Sequence, residues 1–168
     1  DFDVQNPDLP DIQEVKKNIS DTKNYRSTLK ARDPRVRAAM LKKEGGTTRT
    51  EAAVARGLHW IAQHQNANGS WSFNHRGGAC QGRCGNPGRL ARDVKGATAL
   101  ALLPFLGAGQ THKDGKYKKN VLAGLEFILS HANETGHFTE PGGRMYSHGL
   151  CAITLCEAFA LTKDKGLR

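Results

Sequence analysis

The residues whose types and spacing most directly suggest chemistry are His75, Cys80 and Cys84. Two cysteines with three residues between them on a Gly-rich stretch match zinc-ligand spacing, and an imidazole five positions before the first would supply a third ligand. Asp93, at the end of the same stretch, or His148 would supply a fourth. The same spacing also fits a loop disulfide or two free thiols, and the sequence leaves all three open. Zinc is therefore the one cofactor suggested, and none is demanded. Cys151 and Cys156 lie five apart in an apolar segment, about 140° around a helix. They read as small core residues facing different directions.

The second constellation is basic. Arg76, Arg83, Arg89, Arg92 and Lys95 share that stretch, and Arg144 lies in a later one. Lys95 and His148 fall where apolar helices are expected to begin. Helix N-termini carry unpaired N–H groups, so arginines gathered there would make an anion rim suited to a diphosphate. A solvated basic surface is the plainer reading.

Charge and composition bound the partners. The 168 residues carry a net charge of +9 and a pI near 9.6. Lys42-Lys43, Lys118-Lys119 and Lys163-Lys165 read as solvated faces, and no basic run is interleaved with aromatics, so a nucleic-acid partner is not expected. No stretch reaches transmembrane length. The acidic start Asp1-Phe2-Asp3 is no secretory signal. The chain opens without Met, which suits a fragment whose targeting segment lies upstream. Both a cytoplasmic and a membrane-associated location stay open.

Four helices must position these residues. The first is expected over about Glu51–Gln65, with Thr48-Arg49-Thr50-Glu51 as a capping-box start and Val54, Leu58 and Ile61 as its buried stripe. The second runs over about Gly96–Leu106, apolar nearly all round and therefore buried, with Pro104 kinking it or ending its regular part. The third covers about Tyr117–His131 and the fourth about Ser147–Leu161. No segment alternates as a strand. Residues 1–47 read as an N-terminal tail or linker, largely irregular, because the first 34 residues hold too few large apolar side chains to offset the entropy of ordering.

The chain also repeats itself. Gly57-Leu58-His59-Trp60-Ile61 and Gly124-Leu125-Glu126-Phe127-Ile128 are offset by 67, as are Trp71 and Phe138. Gly96, Ala99 and Leu102 match Gly149, Ala152 and Leu155 at an offset of 53. The first copy therefore carries 14 extra residues, within His75 to Asp93. A period this long marks a supersecondary unit stacked on its copy, and insertions in one copy tend to fall on a binding face. The copies cover about 51–109 and 117–165.

Gln65-Asn66-Ala67-Asn68-Gly69-Ser70-Trp71 has the pattern Q-x-x-x-G-x-W, with Gly136 and Phe138 in a degenerate second copy. It resembles the QW repeat of squalene-hopene cyclases and protein prenyltransferase β subunits. Tyr146-Ser147-His148-Gly149-Leu150, followed by Cys156-Glu157-Ala158, is similar to bacterial prenyltransferase and squalene-oxidase repeat proteins. The resemblance implies an all-α fold: an α/α-toroid of inner and outer helices, of which this chain supplies two pairs of an incomplete barrel. It also implies a hydrophobic or isoprenoid ligand, a protein partner, or self-association along the open edge. Prenyltransferases hold zinc with an Asp, a Cys and a His, at positions these residues do not match.

Class II cyclases of this family protonate an alkene with the D-x-D-D-T-A motif. The corresponding stretch is Asp93-Val94-Lys95-Gly96-Ala97-Thr98-Ala99. Only the first Asp remains, and Lys95 occupies the place of the proton donor. An ammonium is far too weak an acid to protonate an alkene. The expectation is a binding module without the cyclase acid; a terpenoid- or prenyl-processing enzyme with catalytic repeats outside this chain, zinc-dependent if the Cys80 loop holds metal, is the alternative.

Overall fold

The computed structural model describes residues 32, 34–77, 80–140 and 145–167. Among the described residues the regular elements are five α-helices and two short 3-10 turns, with no strand. The helices are α1 (Pro34–Lys43), α2 (Thr48–Gln63), α3 (Val94–Gly107), α4 (Lys118–Ser130) and α5 (Met145–Thr162). The 3-10 turns are His75–Gly77 and Lys165–Leu167. No helix among the described residues is long and apolar enough to cross a membrane.

The four helices expected from periodicity are α2 to α5, each displaced at its ends by three residues or fewer. Within the expected irregular segment, residues 1–31 lie outside the described residues, while 34–43 form α1, opened by Pro34 at a position where its missing N–H costs nothing. Helix α2 starts earlier than the sequence suggests. Thr47, not Thr48, is the cap: its hydroxyl accepts from Thr50 N and the Thr50 hydroxyl accepts from Thr47 N, closing a reciprocal box. Pro104 does not end α3, which runs on to Gly107.

Helix α3 is the centre of the packing. It lies chiefly against α5, then α4, and more lightly against α2. Ala99, Leu102, Phe105 and Leu106 are sealed from solvent together with Val121 and Ile128 of α4 and Cys151 and Ala158 of α5. Thr154 Oγ1 donates to Ala99 O at 3.2 Å, joining α5 to α3 inside this core. The α2 stripe is only partly covered. Leu58 is buried, while Val54 is exposed beside a groove of about 370 Å³ that Leu58, Ile61, Pro104 and Ala108 also line.

Helix α5 is buried along one side only. Ser147, Cys151, Thr154 and Ala158 face α3, and Ile153 on another side is 56% exposed. Cys156 is exposed as well, so only Cys151 is the core cysteine expected. Arg32 pairs with Glu157, tying the start of the described chain to α5.

The exits of α2 and α4 are built alike. Trp60 stacks on His64 with centroids 3.9 Å apart, and Phe127 lies on His131 at 4.1 Å. His64 Nδ1 bonds Trp60 O at 2.6 Å, and His131 Nδ1 bonds Phe127 O at 2.8 Å. Asn66 N donates to Ser70 O at 2.8 Å, and Asn133 N to His137 O at 3.0 Å. Gly69 and Gly136 close both turns at φ +86° and +78°, a conformation natural to glycine. Beyond them Trp71 and Phe138 both enter the core.

Gln65 explains its own place in the first turn. Its amide nitrogen donates to Gly69 O and to Asn120 O, each at 2.9 Å, and its oxygen accepts from Asn120 Nδ2 at 2.7 Å. It therefore locks the turn and the start of α4 in one network. Gly69 lies so close to α4 that a Cβ there would stand 2.4 Å from Ala123 O. Trp71 completes the joint by donating from Nε1 to Ile61 O at 2.7 Å, while Thr98 Oγ1 accepts from its backbone N at 3.0 Å.

Candidate metal centre

The long connection between α2 and α3 is pinched into a loop. Gly88 N donates to Phe73 O at 2.9 Å, and a Cβ on Gly88 would sit 2.4 Å from that same oxygen. Inside the loop, Cys80-Gln81-Gly82-Arg83 forms a tight turn. Gln81 and Gly82 both have positive φ, 49° and 78°, and Arg83 N donates to Cys80 O at 2.9 Å. That turn reverses the chain and brings Cys84 back beside Cys80.

The side chain facing both cysteines is His64, at the end of α2, rather than His75. One ligand atom each from His64, Cys80 and Cys84 lies within 4.8 Å of the other two. His75 is outside this trio. The reason is local: His64 follows the last turn of α2, where burial and its Trp60 stack aim it at the loop. A carbonyl can only accept, so the 2.6 Å bond to Trp60 O places the proton on Nδ1 and leaves the Nε2 lone pair free. Nε2 is 3.6 Å from Cys84 Sγ. Tetrahedral zinc with bonds of about 2.3 Å to sulfur and about 2.05 Å to nitrogen spans about 3.6 Å between those two ligand atoms. The carbonyl bond to the far ring nitrogen is also the usual device for orienting a ligating imidazole.

The cysteines are free thiols. The backbone N–H of Cys84, helped by that of Gly82, pulls the Cys80 thiol down from 9.0 to about 7 against the upward push of burial. A thiol so placed gives up its proton readily, as a metal ligand must. Cys151 is the contrast: burial, with Glu140 adding to it and Lys95 opposing, pushes its thiol up to about 12.

His64 also lines a cleft of about 240 Å³, together with Trp60, Ile61, Phe73, His75 and Leu100 among others. His75 meets the Trp60 ring edge-on at 5.3 Å and the His64 ring at 5.5 Å. Its Nε2 is buried and has no hydrogen-bond partner.

The expected anion rim is arranged differently. Arg76, Arg89 and Arg92 are exposed, and Arg144 lies outside the described residues. The start of α3 is not open to a ligand, because Glu140, itself buried, accepts there from Lys95 N and from Gly96 N, the latter at 3.2 Å. Lys95 Nζ donates to Thr139 O. His148 stacks on Phe138 at 5.9 Å and takes the Phe138 N–H on Nδ1 at 3.4 Å, a structural placement. Asp93 is the N-cap of α3 but makes no side-chain capping bond.

Two residues escaped the sequence reading. His64 had a usable signal, since it precedes the Gln65 motif and shares its offset of 67 with His131. Glu140 had none, because its partners are backbone groups 44 and 45 residues away. No family model matches the chain, and neither do any curated proteins or solved structures.

Proposed function

We propose that this chain is a helical repeat module of the squalene-hopene cyclase and prenyltransferase kind: two α/α pairs, with zinc held by His64, Cys80 and Cys84. It binds the apolar body of a hydrophobic or isoprenoid ligand rather than cyclising it. The observation that carries the reading is the convergence of the three side chains on the loop by which the first pair differs from the second. The matching turns after α2 and α4 support the pairing, and the exposed side of α5 suits a further helical layer or a partner protein.

Cyclase chemistry finds no support. It requires a carboxylic acid whose proton reaches an alkene, and Lys95 stands at the motif position. The buried carboxylate nearest that position, Glu140, is engaged as an acceptor by helix N–H groups. The cleft beside the trio suits a short apolar chain, being smaller than the several hundred cubic ångströms usual for larger ligands.

The test is titration with radiolabelled farnesol, read by equilibrium dialysis, alongside incubation with squalene. The proposal expects saturable binding that weakens at least about tenfold when Leu100→Trp fills the cleft, and unchanged squalene. A cyclised product, or farnesol binding indifferent to Leu100→Trp, contradicts it.

A further inference from the structure

We infer that His75 is the fourth ligand of this centre, so that the metal is fully enclosed by protein and clips the long loop onto the end of α2. The inference rests on the zinc reading above and fixes what kind of zinc site it is. Three protein ligands with an open position are the mark of catalytic zinc, whereas four close the sphere of a structural one. The question is which group fills the last position.

His75 carries an independent sign. Its Nε2 is shut away from water without a hydrogen bond, a condition that native folds rarely leave uncompensated. The residue is already at the site: Cys80 Sγ donates to His75 O at 3.5 Å, and its ring stands edge-on to the His64 ring. The two imidazole centroids are 5.5 Å apart, and ligation requires the His75 side chain to turn toward the trio. The other fourth ligands that the sequence offers are less well placed. His148 has its Nδ1 turned to Phe138 N, and Asp93 is the N-cap of α3, with no contact to His64, Cys80 or Cys84 to match those of His75.

The consequence lies in the loop. The described residues between Phe73 and Gly88 contribute no side chain to the hydrophobic core, so apolar burial does little to hold them. Four ligands, one from α2 and three from the loop, would hold them instead, much as metal binding supplies folding energy to small zinc modules. This account makes the 14 extra residues a metal-stapled wall of the adjoining cleft.

The experiment replaces zinc by cobalt(II) in the full chain. An enclosed site gives a tetrahedral spectrum with sulfur-to-cobalt charge transfer that added azide does not change. His75→Ala should bind cobalt at least about tenfold more weakly, and its spectrum should respond to azide. His75→Cys guards against a variant that merely misfolds. It should raise the sulfur-to-cobalt intensity by about half, as two thiolates become three. An azide-sensitive wild-type spectrum, or a His75→Cys spectrum identical to wild type, overturns the assignment while leaving the zinc reading intact. No cobalt spectrum in the wild-type protein overturns both.

Discussion

Replacing Gly69 and Gly136 by alanine, one at a time, tests how the first turn is seated on α4. Both residues have nearly the same positive φ, so each alanine pays a similar conformational penalty of about 1–2 kcal/mol. Their surroundings differ. Around Gly136 nothing lies within 4 Å of a Cβ, whereas at Gly69 the Cβ would stand 2.4 Å from Ala123 O and 2.8 Å from its carbonyl carbon. Those are backbone atoms of α4 and cannot rotate away. Relieving the clash must shift the turn from α4 and stretch the Gln65–Asn120 bonds, which adds about 1–3 kcal/mol as overpacking does elsewhere. Gly69→Ala should therefore lose about 2–5 kcal/mol and Gly136→Ala about 1–2 kcal/mol. Urea unfolding followed by circular dichroism reads both. Equal losses would refute the claim that contact with α4, rather than turn geometry alone, fixes the glycine at 69.

Trp71→Ala should cost about 3–5 kcal/mol in the same assay, since it empties a core position and strands Ile61 O; a loss below about 1 kcal/mol would deny its role as a wedge. In metal-free protein, iodoacetamide labelling of Cys80 should rise through half its maximum near pH 7, and Cys151 should stay unlabelled well into the alkaline range. The folded state favours the Cys80 thiolate, so this contribution to stability is full above pH 9.0 and fades as pH falls through about 7. Labelling of Cys80 that begins only near pH 9 contradicts the placement of its N–H donors. Asp164 accepts from His112 at 2.9 Å and, with help from Gly166 N and Lys113, is held well below the usual carboxylate range. The stability it lends is present above its ordinary value of 3.8 and lost in acid, so wild type and Asp164→Asn should differ at neutral pH and converge at low pH. A difference that persists unchanged into strong acid would rule out that linkage.

Helical periodicity carries far in this chain because apolar spacing and glycine stops act locally. Leu58, Val121, Leu125 and Ile128 are buried, while Leu122 and Leu129 of the same apolar run in α4 are exposed, and Gly69 and Gly109 turn the chain at positive φ beyond α2 and α3. The capping box was one residue off because Thr47, Thr48 and Thr50 are chemically equivalent candidates, and only backbone geometry separates them. Val54 and Ile153 show the limit of hydropathy: it reports which side chains are apolar, not how many neighbours arrive to cover them. At the site, Cys80 and Cys84 were legible from spacing, since a tight turn makes sequence neighbours spatial neighbours. Ligand spacing did not reveal His64, which reaches the loop from 16 residues upstream by way of the helix end; only its repeat offset marked it. The basic rim failed for a similar reason: the N–H groups that arginines would have framed are met by Glu140, a long-range partner with no sequence signature.

The most direct measurement is the metal content of the purified chain, by elemental analysis, beside that of His64→Ala and Cys84→Ser. The account expects one zinc per wild-type chain and little in either variant. A wild-type protein free of zinc, or zinc retained in full by both variants, would contradict it.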